Sequence, residues 1–437
     1  TWKFLWSVPA LLLDGWSWPL VFRDSSRLYQ SFAKDIPIEM EHARPYRDYL
    51  SWLGKQTPGE AQNFWRENLA GFKEPTPLPR DTTEPVTTDE RYVEASLEIS
   101  SEATNALKTA ARQLQLTLSS LVQGAWALLL SRQSGNADVV FGAAFAGRPA
   151  DLRGVESIVG PFVNNLPVRV KVDRGATAGD FFRELHARML KLSPVQYTPL
   201  MEIQQYSEMP WRHRMFDSLV VFQNYLVDES AKTFGDAVQI ADFTGPVHTN
   251  YPVMLLAEPG ASLQLKLIYD RQALAPATVQ RWIRDLETIL ELAPVFFEKR
   301  VADLLALLSS PAPPAPEGVA KRKFRAQSQN FVPPQTEMEI AIAGVWQNMF
   351  GLERISVEEN FFDLGGHSML LIQMHGRLRE LLKTEFPIVT LLEHPSIGAL
   401  ARHLQQAAAP ATTGEKWQDR AVRQKEALAK MRTTLKK

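Results

Sequence analysis

Between Ser309 and Gly318 the chain reads Ser-Ser-Pro-Ala-Pro-Pro-Ala-Pro-Glu-Gly, with four prolines in positions 311–316. Proline lacks the backbone N–H and fixes φ, so this run forbids a regular helix or an interior strand and favours an extended spacer. No single core can run through it. The 437 residues therefore divide into an upstream region (1–308), a linker (309–332) that includes the basic stretch Lys321-Arg322-Lys323-Phe324-Arg325, a downstream region (333–407) and a polar tail (408–437).

The upstream region mixes strand and helix patterns. Trp2–Val8 reads as a strand, and Pro19–Ala33 has helical apolar spacing at Leu20, Phe22, Leu28 and Phe32. A helix is expected over Gly59–Leu69, with Phe64 and Trp65 turned inward. Strands are expected over Tyr92–Ile99, Val139–Ala144, Leu166–Val172, Ser218–Phe222 and Leu263–Tyr269. Ser101 opens a long helix with Glu102 in its first turn, Leu116–Leu130 forms another, and Ala277–Leu292 closes the region. Elements mixed in this way predict a layered α/β or α+β fold.

The downstream region is helical. Met338, Ile342, Val345, Trp346 and Met349 fall on one face of a helix over Thr336–Phe350. Leu370, Met374, Leu378 and Leu381 do the same for a helix starting near Ser368. A short helical turn follows at Ile388–Glu393. Ser396 caps a last helix, with Ile397, Leu400 and Leu404 facing in. Four short helices with brief connections make a small bundle.

Charge and composition exclude several functions. Lys and Arg total 48 against 49 Asp and Glu, so net charge gives no case for nucleic-acid binding. No apolar run reaches the ~18 residues of a membrane span, so no membrane partner is expected. The first residues lack the pattern of a signal peptide. There is no cysteine, which excludes disulfides and thiolate chemistry and suits a cytoplasmic location. Any sulfur chemistry needs a thiol attached from outside. The tail over 414–437 carries eight basic and three acidic residues. It reads either as a frayed helix or as a docking segment with its basic face toward an acidic partner.

Between the first two bundle helices runs Asn360-Phe361-Phe362-Asp363-Leu364-Gly365-Gly366-His367-Ser368-Met369. The glycines allow a sharp turn and close approach of another surface. Ser368 then stands at a helix N-terminus, where free N–H groups and the helix dipole favour a phosphate. Spacing alone leaves a plain N-cap serine equally open.

Phe362–Ser368 resembles the signature of the peptidyl carrier proteins of nonribosomal peptide synthetases. The likeness continues through Phe350-Gly351 before it and Glu393-His394-Pro395-Ser396-Ile397 after it. The resemblance implies a 4'-phosphopantetheine arm on the Ser368 hydroxyl, added by a phosphopantetheinyl transferase, and it makes His367 a loop residue without a catalytic role. The arm is a tether that raises the local concentration of its cargo at neighbouring sites.

Upstream, Tyr46-Arg47-Asp48-Tyr49-Leu50-Ser51-Trp52, Val159–Arg169, Gln196-Tyr197-Thr198-Pro199-Leu200 and Met215-Phe216-Asp217-Ser218-Leu219 resemble blocks of the condensation domains of the same synthetases. The implied fold is like chloramphenicol acetyltransferase, two α/β lobes around a tunnel, here with the first lobe incomplete. The family motif is His-His-x-x-x-Asp-Gly, and its second histidine positions or deprotonates the attacking amine. Leu13-Asp14-Gly15-Trp16-Ser17 fixes the register, so the histidine positions hold Pro9 and Ala10. Neither side chain can accept a proton. In the family, Asp14 is structural and pairs with an arginine of the second lobe, so no catalytic residue is assigned at Pro9, Ala10, Asp14 or Gly15. His42, His186, His213 and His248 fall outside the motif and read as surface or core residues.

Two further departures bear on function. In the family's order roughly 130 residues of the first lobe precede Thr1. Their absence would leave a sheet edge and apolar surface uncovered unless the chain is a fragment or a partner completes it. No adenylation domain separates the two regions, so an adenylation domain acting in trans, or upstream modules, would load the carrier. Two classes of function fit. A condensation-like domain without its base can act as a docking platform for a tailoring oxygenase, as interface or X-type domains do. Alternatively it still joins carrier-bound intermediates by amide or ester bonds, because proximity alone contributes much of such a barrier and loss of a general base costs about 10²–10⁴-fold.

Overall fold

A computed structural model describes residues 6, 8, 12–40, 43–79, 81–82, 91–210, 213–223, 233–234, 238–239, 249–309, 331–361, 364 and 368–408. The chain divides into two compact units, Thr1–Val319 and Ala320–Lys437.

The first unit opens with three helices: α1 (Ser17–Lys34), α2 (Arg47–Leu53) and α3 (Pro58–Asn68). Strand β1 (Tyr92–Ile99), helices α4 (Ser101–Gln113) and α5 (Leu118–Ser134) and strands β2 (Asp138–Phe145) and β3 (Asn164–Lys171) follow. Next come α6 (Ala178–Leu192), α7 (Leu200–Tyr206), β4 (Ser218–Phe222), β5 (Thr233–Phe234), β6 (Val238–Gln239), β7 (Val253–Glu258), β8 (Leu263–Asp270), α8 (Pro276–Phe296) and α9 (Val301–Leu305). Six strands form one mixed sheet in the order β1-β8-β7-β4-β2-β3. Its centre, β7-β4-β2, is parallel, with Ser218 opposite Val253 and Gly142 opposite Leu219. The outer pairs are antiparallel.

Side-chain capping sets several of these boundaries. The Ser100 hydroxyl accepts from Ala103 N–H at the start of α4, and Thr117 does the same for Ser120 N–H in α5. Helix α5 runs on to Ser134, where Gly135 ends it in the left-handed conformation at φ 73°. Residues Ser120–Ser131 of α5 are buried, and α5 packs on α6, α8 and β2. Trp126 meets Trp282 edge-on at 5.9 Å, and its indole N–H reaches Ser218 Oγ at 3.2 Å. The expected strands over 92–99 and 218–222 form with those bounds. The strand expected over Trp2–Val8 lies outside the described residues, apart from Trp6 and Val8.

The helix expected over Pro19–Ala33 forms as α1, with Leu28 and Phe32 38% and 81% exposed. Tyr29 and Ile36 nearby are also exposed. Among the described residues no single helix is long and apolar enough to cross a membrane. The bent pair α4 and α5 reaches that apolarity together, and α5 is core.

The second unit contains α10 (Glu337–Phe350), α11 (Ser368–Leu382), α12 (Val389–Glu393) and α13 (Ile397–Ala408). A capping box starts α10: Thr336 accepts from Glu339 N–H, and the Glu339 carboxylate accepts from Thr336 N–H at 3.0 Å. The backbone N–H groups of Thr336 and Gln335 hold the Glu339 carboxyl below its ordinary pKa. Gly351 ends the helix at φ 66°. The core joins Ile342, Trp346, Met349, Met374, Leu378, Ile397, Leu400 and Leu404. Leu381 is 54% exposed instead of buried, and its neighbour Leu382 packs on the core.

Candidate functional site

Asp14 lies just ahead of α1 and is buried. Its Oδ1 accepts from Ser17 N–H at 2.9 Å, and its Oδ2 accepts from Phe162 N–H at 3.0 Å. The Ser17 hydroxyl is 2.8 Å from Asp14 Oδ1 and 2.9 Å from the Gly160 carbonyl, and its single proton serves one of them at a time. The same oxygen accepts from Gly160 N–H at 3.0 Å. Gly15 continues the turn into the helix.

Arg148, just past β2, completes the clamp. Its Nη2 stands 3.4 Å from Asp14 Oδ1 and 3.3 Å from Ser17 Oγ. Its Nη1 donates to the carbonyls of Val155 at 2.6 Å and Ile158 at 2.8 Å, and the guanidinium lies 4.1 Å over the Phe162 ring. Burial lowers the Arg148 pKa, against the upward pull of the Asp14 carboxylate. The expected partner of Asp14 is therefore Arg148. The sequence pointed to an arginine without saying which, and Ser17 carried no assigned role.

Two glycines let the chain close on itself here. Gly147 has φ +65°, and a Cβ there would sit 1.8 Å from the Phe162 carbonyl oxygen. A Cβ on Gly160 would sit 2.2 Å from the Tyr46 ring. That ring meets Phe162 edge-on at 5.1 Å, and the Tyr46 hydroxyl donates to the Pro161 carbonyl at 2.9 Å. Burial, then the Asp14 charge, raises the Tyr46 pKa, with Arg148 opposing. Burial pushes Tyr49 up to about 12.

Chemically this is a fastening. Both Asp14 oxygens accept from backbone N–H groups, so the buried carboxylate holds a loop in place. Pro9 and Ala10 lie outside the described residues, as do His42 and His248. His186 pairs through Nδ1 with the Ser120 hydroxyl at 2.8 Å, between α6 and α5. His213 is half-buried, and its carbonyl accepts from Gln204.

In the second unit, Ser368 is the first residue of the 15-residue α11. Residues 362–363 and 365–367, including His367, lie outside the described set. The loop is anchored upstream by Phe361, fully buried against Trp346 and Phe350 at 5.3 Å each, with its N–H on the Pro395 carbonyl at 2.7 Å. Leu364 N–H returns to the Asn360 carbonyl. A phosphodiester suits a serine at this position, because the first N–H groups of a long helix have no intrahelical acceptor.

A mixed sheet closed by the Asp14–Arg148 clamp, followed by a helical bundle whose second helix begins at a serine after a glycine loop, defines a condensation unit joined to a carrier. The sequence comparisons agree: the chain belongs to the Condensation domain family, matched over residues 1–308, and carries a Phosphopantetheine attachment site domain over residues 341–404. The fold is the chloramphenicol-acetyltransferase-like α/β fold of condensation domains, followed by a helical carrier whose cofactor is covalent 4'-phosphopantetheine. One of the linear gramicidin synthase polypeptides of Brevibacillus parabrevis is 39% identical over 309 residues, which cover 70% of this chain and 6% of that protein. Surfactin synthase subunit 3 of Bacillus subtilis (strain 168) is 31% identical over 300 residues, 66% of this chain and 22% of that protein. The chain thus spans a small part of these relatives. Among solved structures, the X-domain from teicoplanin biosynthesis matches with TM-score 0.55 at 22% identity, over 68% of this chain and 70% of that one. The same X-domain is also known in complex with OxyB, with TM-score 0.55 and 22% identity over 68% of each chain. The first condensation domain of the calcium-dependent antibiotic synthetase, in complex with a substrate analogue, matches with TM-score 0.52 at 17% identity, over 68% of this chain and 65% of that one.

Proposed function

We propose that Ser368 carries the phosphopantetheine arm and holds an aminoacyl or peptidyl thioester, while the condensation-like unit serves as a docking platform for a tailoring oxygenase. The arm supplies the thiol that a chain without cysteine lacks. Ser368 offers the hydroxyl, and the start of α11 favours the phosphate. One observation carries the platform reading. The residues that fasten the fold (Asp14, Ser17, Arg148) form a complete hydrogen-bonded clamp, whereas the two positions that would handle a proton hold Pro9 and Ala10. The fold likeness to an X-domain that has been captured with OxyB supports the same partner class. A phosphopantetheinyl transferase and an adenylation domain acting in trans, or upstream modules, complete the partners.

The test loads this carrier and a donor carrier with aminoacyl groups, incubates them together and looks for condensed product by mass spectrometry. The platform reading expects no product above that of the Ser368→Ala protein. Product that depends on Ser368 establishes the second reading, amide or ester formation driven by proximity.

A further inference from the structure

Two histidine rings of the carrier unit are stacked. His394 is the C-cap of α12, with its N–H on the Thr390 carbonyl, and His403 lies on α13. Their ring centres are 4.3 Å apart and their planes 31° apart. Both residues are half-buried. Among the described residues, neither imidazole has a partner other than the opposite ring.

The stack sits behind a corner that bears on Ser368. Pro395 and Ser396 join His394 to the start of α13. The Pro395 carbonyl accepts from Phe361 N–H at 2.7 Å, and Ser396 pairs with Asn360 in an isolated antiparallel bridge. The segment that leads to Ser368 is thus fastened to the two residues directly after His394.

Facing rings hold together in only some charge states. Two neutral imidazoles stack as other aromatic pairs do, and one imidazolium is attracted to the face of a neutral ring. Two imidazolium ions at this separation repel. The charged groups of the surrounding elements are engaged elsewhere or exposed. Glu393 on α12 and Arg402 on α13 are exposed, and Arg402 donates to the Gly398 carbonyl of its own helix. On α10, against which α13 packs, Glu339 is taken up by the capping box and Glu337 is exposed. Glu358 is exposed, and the Glu359 carboxylate accepts from Ser356 N–H. His375 on α11 has its Nε2 on the Phe386 carbonyl.

We propose that His394 and His403 are an acid-sensitive brace. Stacked, they hold the corner that presents Ser368 to the phosphopantetheinyl transferase; with both rings protonated they part, and arm transfer slows. The inference rests on Ser368 being the attachment site. Parting takes up a proton, so it is favoured as pH falls, and the brace is complete above the ordinary imidazole value of about 6.5.

The experiment follows the mass increment that coenzyme A and the transferase add to the full chain, as initial rates between pH 5.5 and 8. Variant and wild type are compared at each pH, which cancels the transferase's own pH dependence, and carrier melting is followed in parallel. His403→Phe keeps a ring against His394 and cannot take a proton there. It should match wild type at pH 8 and exceed it about threefold or more in kcat/KM at pH 5.5, with a carrier midpoint less sensitive to acid. His394→Phe makes the same comparison from α12. His403→Ala removes the brace and should be slower than His403→Phe at every pH. A ratio of wild type to the two Phe variants that stays constant with pH, all carriers being folded, would overturn the brace, as would a His403→Ala rate equal to wild type at pH 8. No increment on wild type at any pH would refute the attachment site itself, and this inference with it.

Discussion

Removing the Asp14 carboxylate should cost the first unit about 4 kcal/mol. Its side chain is 3% exposed and that of Arg148 9%, so water replaces little of what is lost. In Asp14→Ala the Phe162 N–H loses its acceptor, while Ser17 N–H keeps the backbone carbonyl of residue 14 at 3.1 Å; a buried unsatisfied donor costs about 1–3 kcal/mol. The Arg148 charge also loses its counter-ion, and breaking one side of a buried pair costs about 3–5 kcal/mol. These contributions overlap, since Arg148 keeps the Val155 and Ile158 carbonyls, so they do not add in full. Arg148→Met should cost less, about 2 kcal/mol, because Asp14 keeps its backbone donors. Urea unfolding would follow tryptophan fluorescence in a Trp346→Phe/Trp417→Phe background, which leaves nine tryptophans, all in the first unit and Trp65, Trp126 and Trp282 among them. With a slope of about 3 kcal/mol per molar, the Asp14→Ala midpoint should fall by more than 1 M. Extent of modification at Ser368 should not change. A midpoint unmoved within about 0.2 M, with carrier-dependent function lost, would refute the structural assignment and make Asp14 a chemical group.

Ser368→Ala should abolish the single mass increment added by coenzyme A and a phosphopantetheinyl transferase; a modified Ser368→Ala protein would contradict the carrier assignment. Thr336→Ala removes half of the capping box and should lower carrier stability by about 1 kcal/mol in thermal melts. Tyr49 has its pKa raised to about 12 by burial, so its contribution is complete below the ordinary phenol value of about 10 and is lost as pH rises toward 12; unfolding at pH 9 to 12 should show a slope that Tyr49→Phe removes. Deleting residues 414–437 should weaken acyl transfer to a following module at low salt only, if the basic tail docks on an acidic surface; equal transfer at all salt concentrations would make the tail passive.

Much of the fold was legible because caps and periodicity act locally. Helices α5 and α8 and strands β1 and β4 follow from alternation, apolar spacing and end signals. Strand β7 was not read, because Val253–Ala257 is buried on both faces between β4 and β8; without alternation a short apolar run carries no period. Helix α6 was missed although its signals were present: Thr177 accepts from Asp180 N–H, and Phe181, Phe182 and Leu185 face inward. Helix α1 shows the opposite limit: spacing gave the helix, but the exposure of Leu28 and Phe32 depends on what packs beside it. At the site, Asp14 and Ser368 were readable from motifs. Arg148 was not, because its partner lies 134 residues away in sequence and only the folded chain brings the two together.

The clamp and the chemistry impose separate demands, and that separation gives the site its meaning. A general base is worth about 10²–10⁴ in rate, which at about 1.36 kcal/mol per tenfold is roughly 3–5 kcal/mol of barrier. None of that energy holds the fold together. The Asp14–Arg148 network contributes a similar amount to folding, a large share of the about 5–15 kcal/mol by which a domain is stable, and none of it moves a proton. A chain can therefore lose its base without loosening its loops, but it cannot lose Asp14 and keep Phe162 and Gly160 where they are. The intact clamp is thus evidence only that this surface must hold its shape. On the proposed reading, the chemical question falls on residues 9 and 10, where the side chains of proline and alanine would offer an incoming amine no acceptor for its proton.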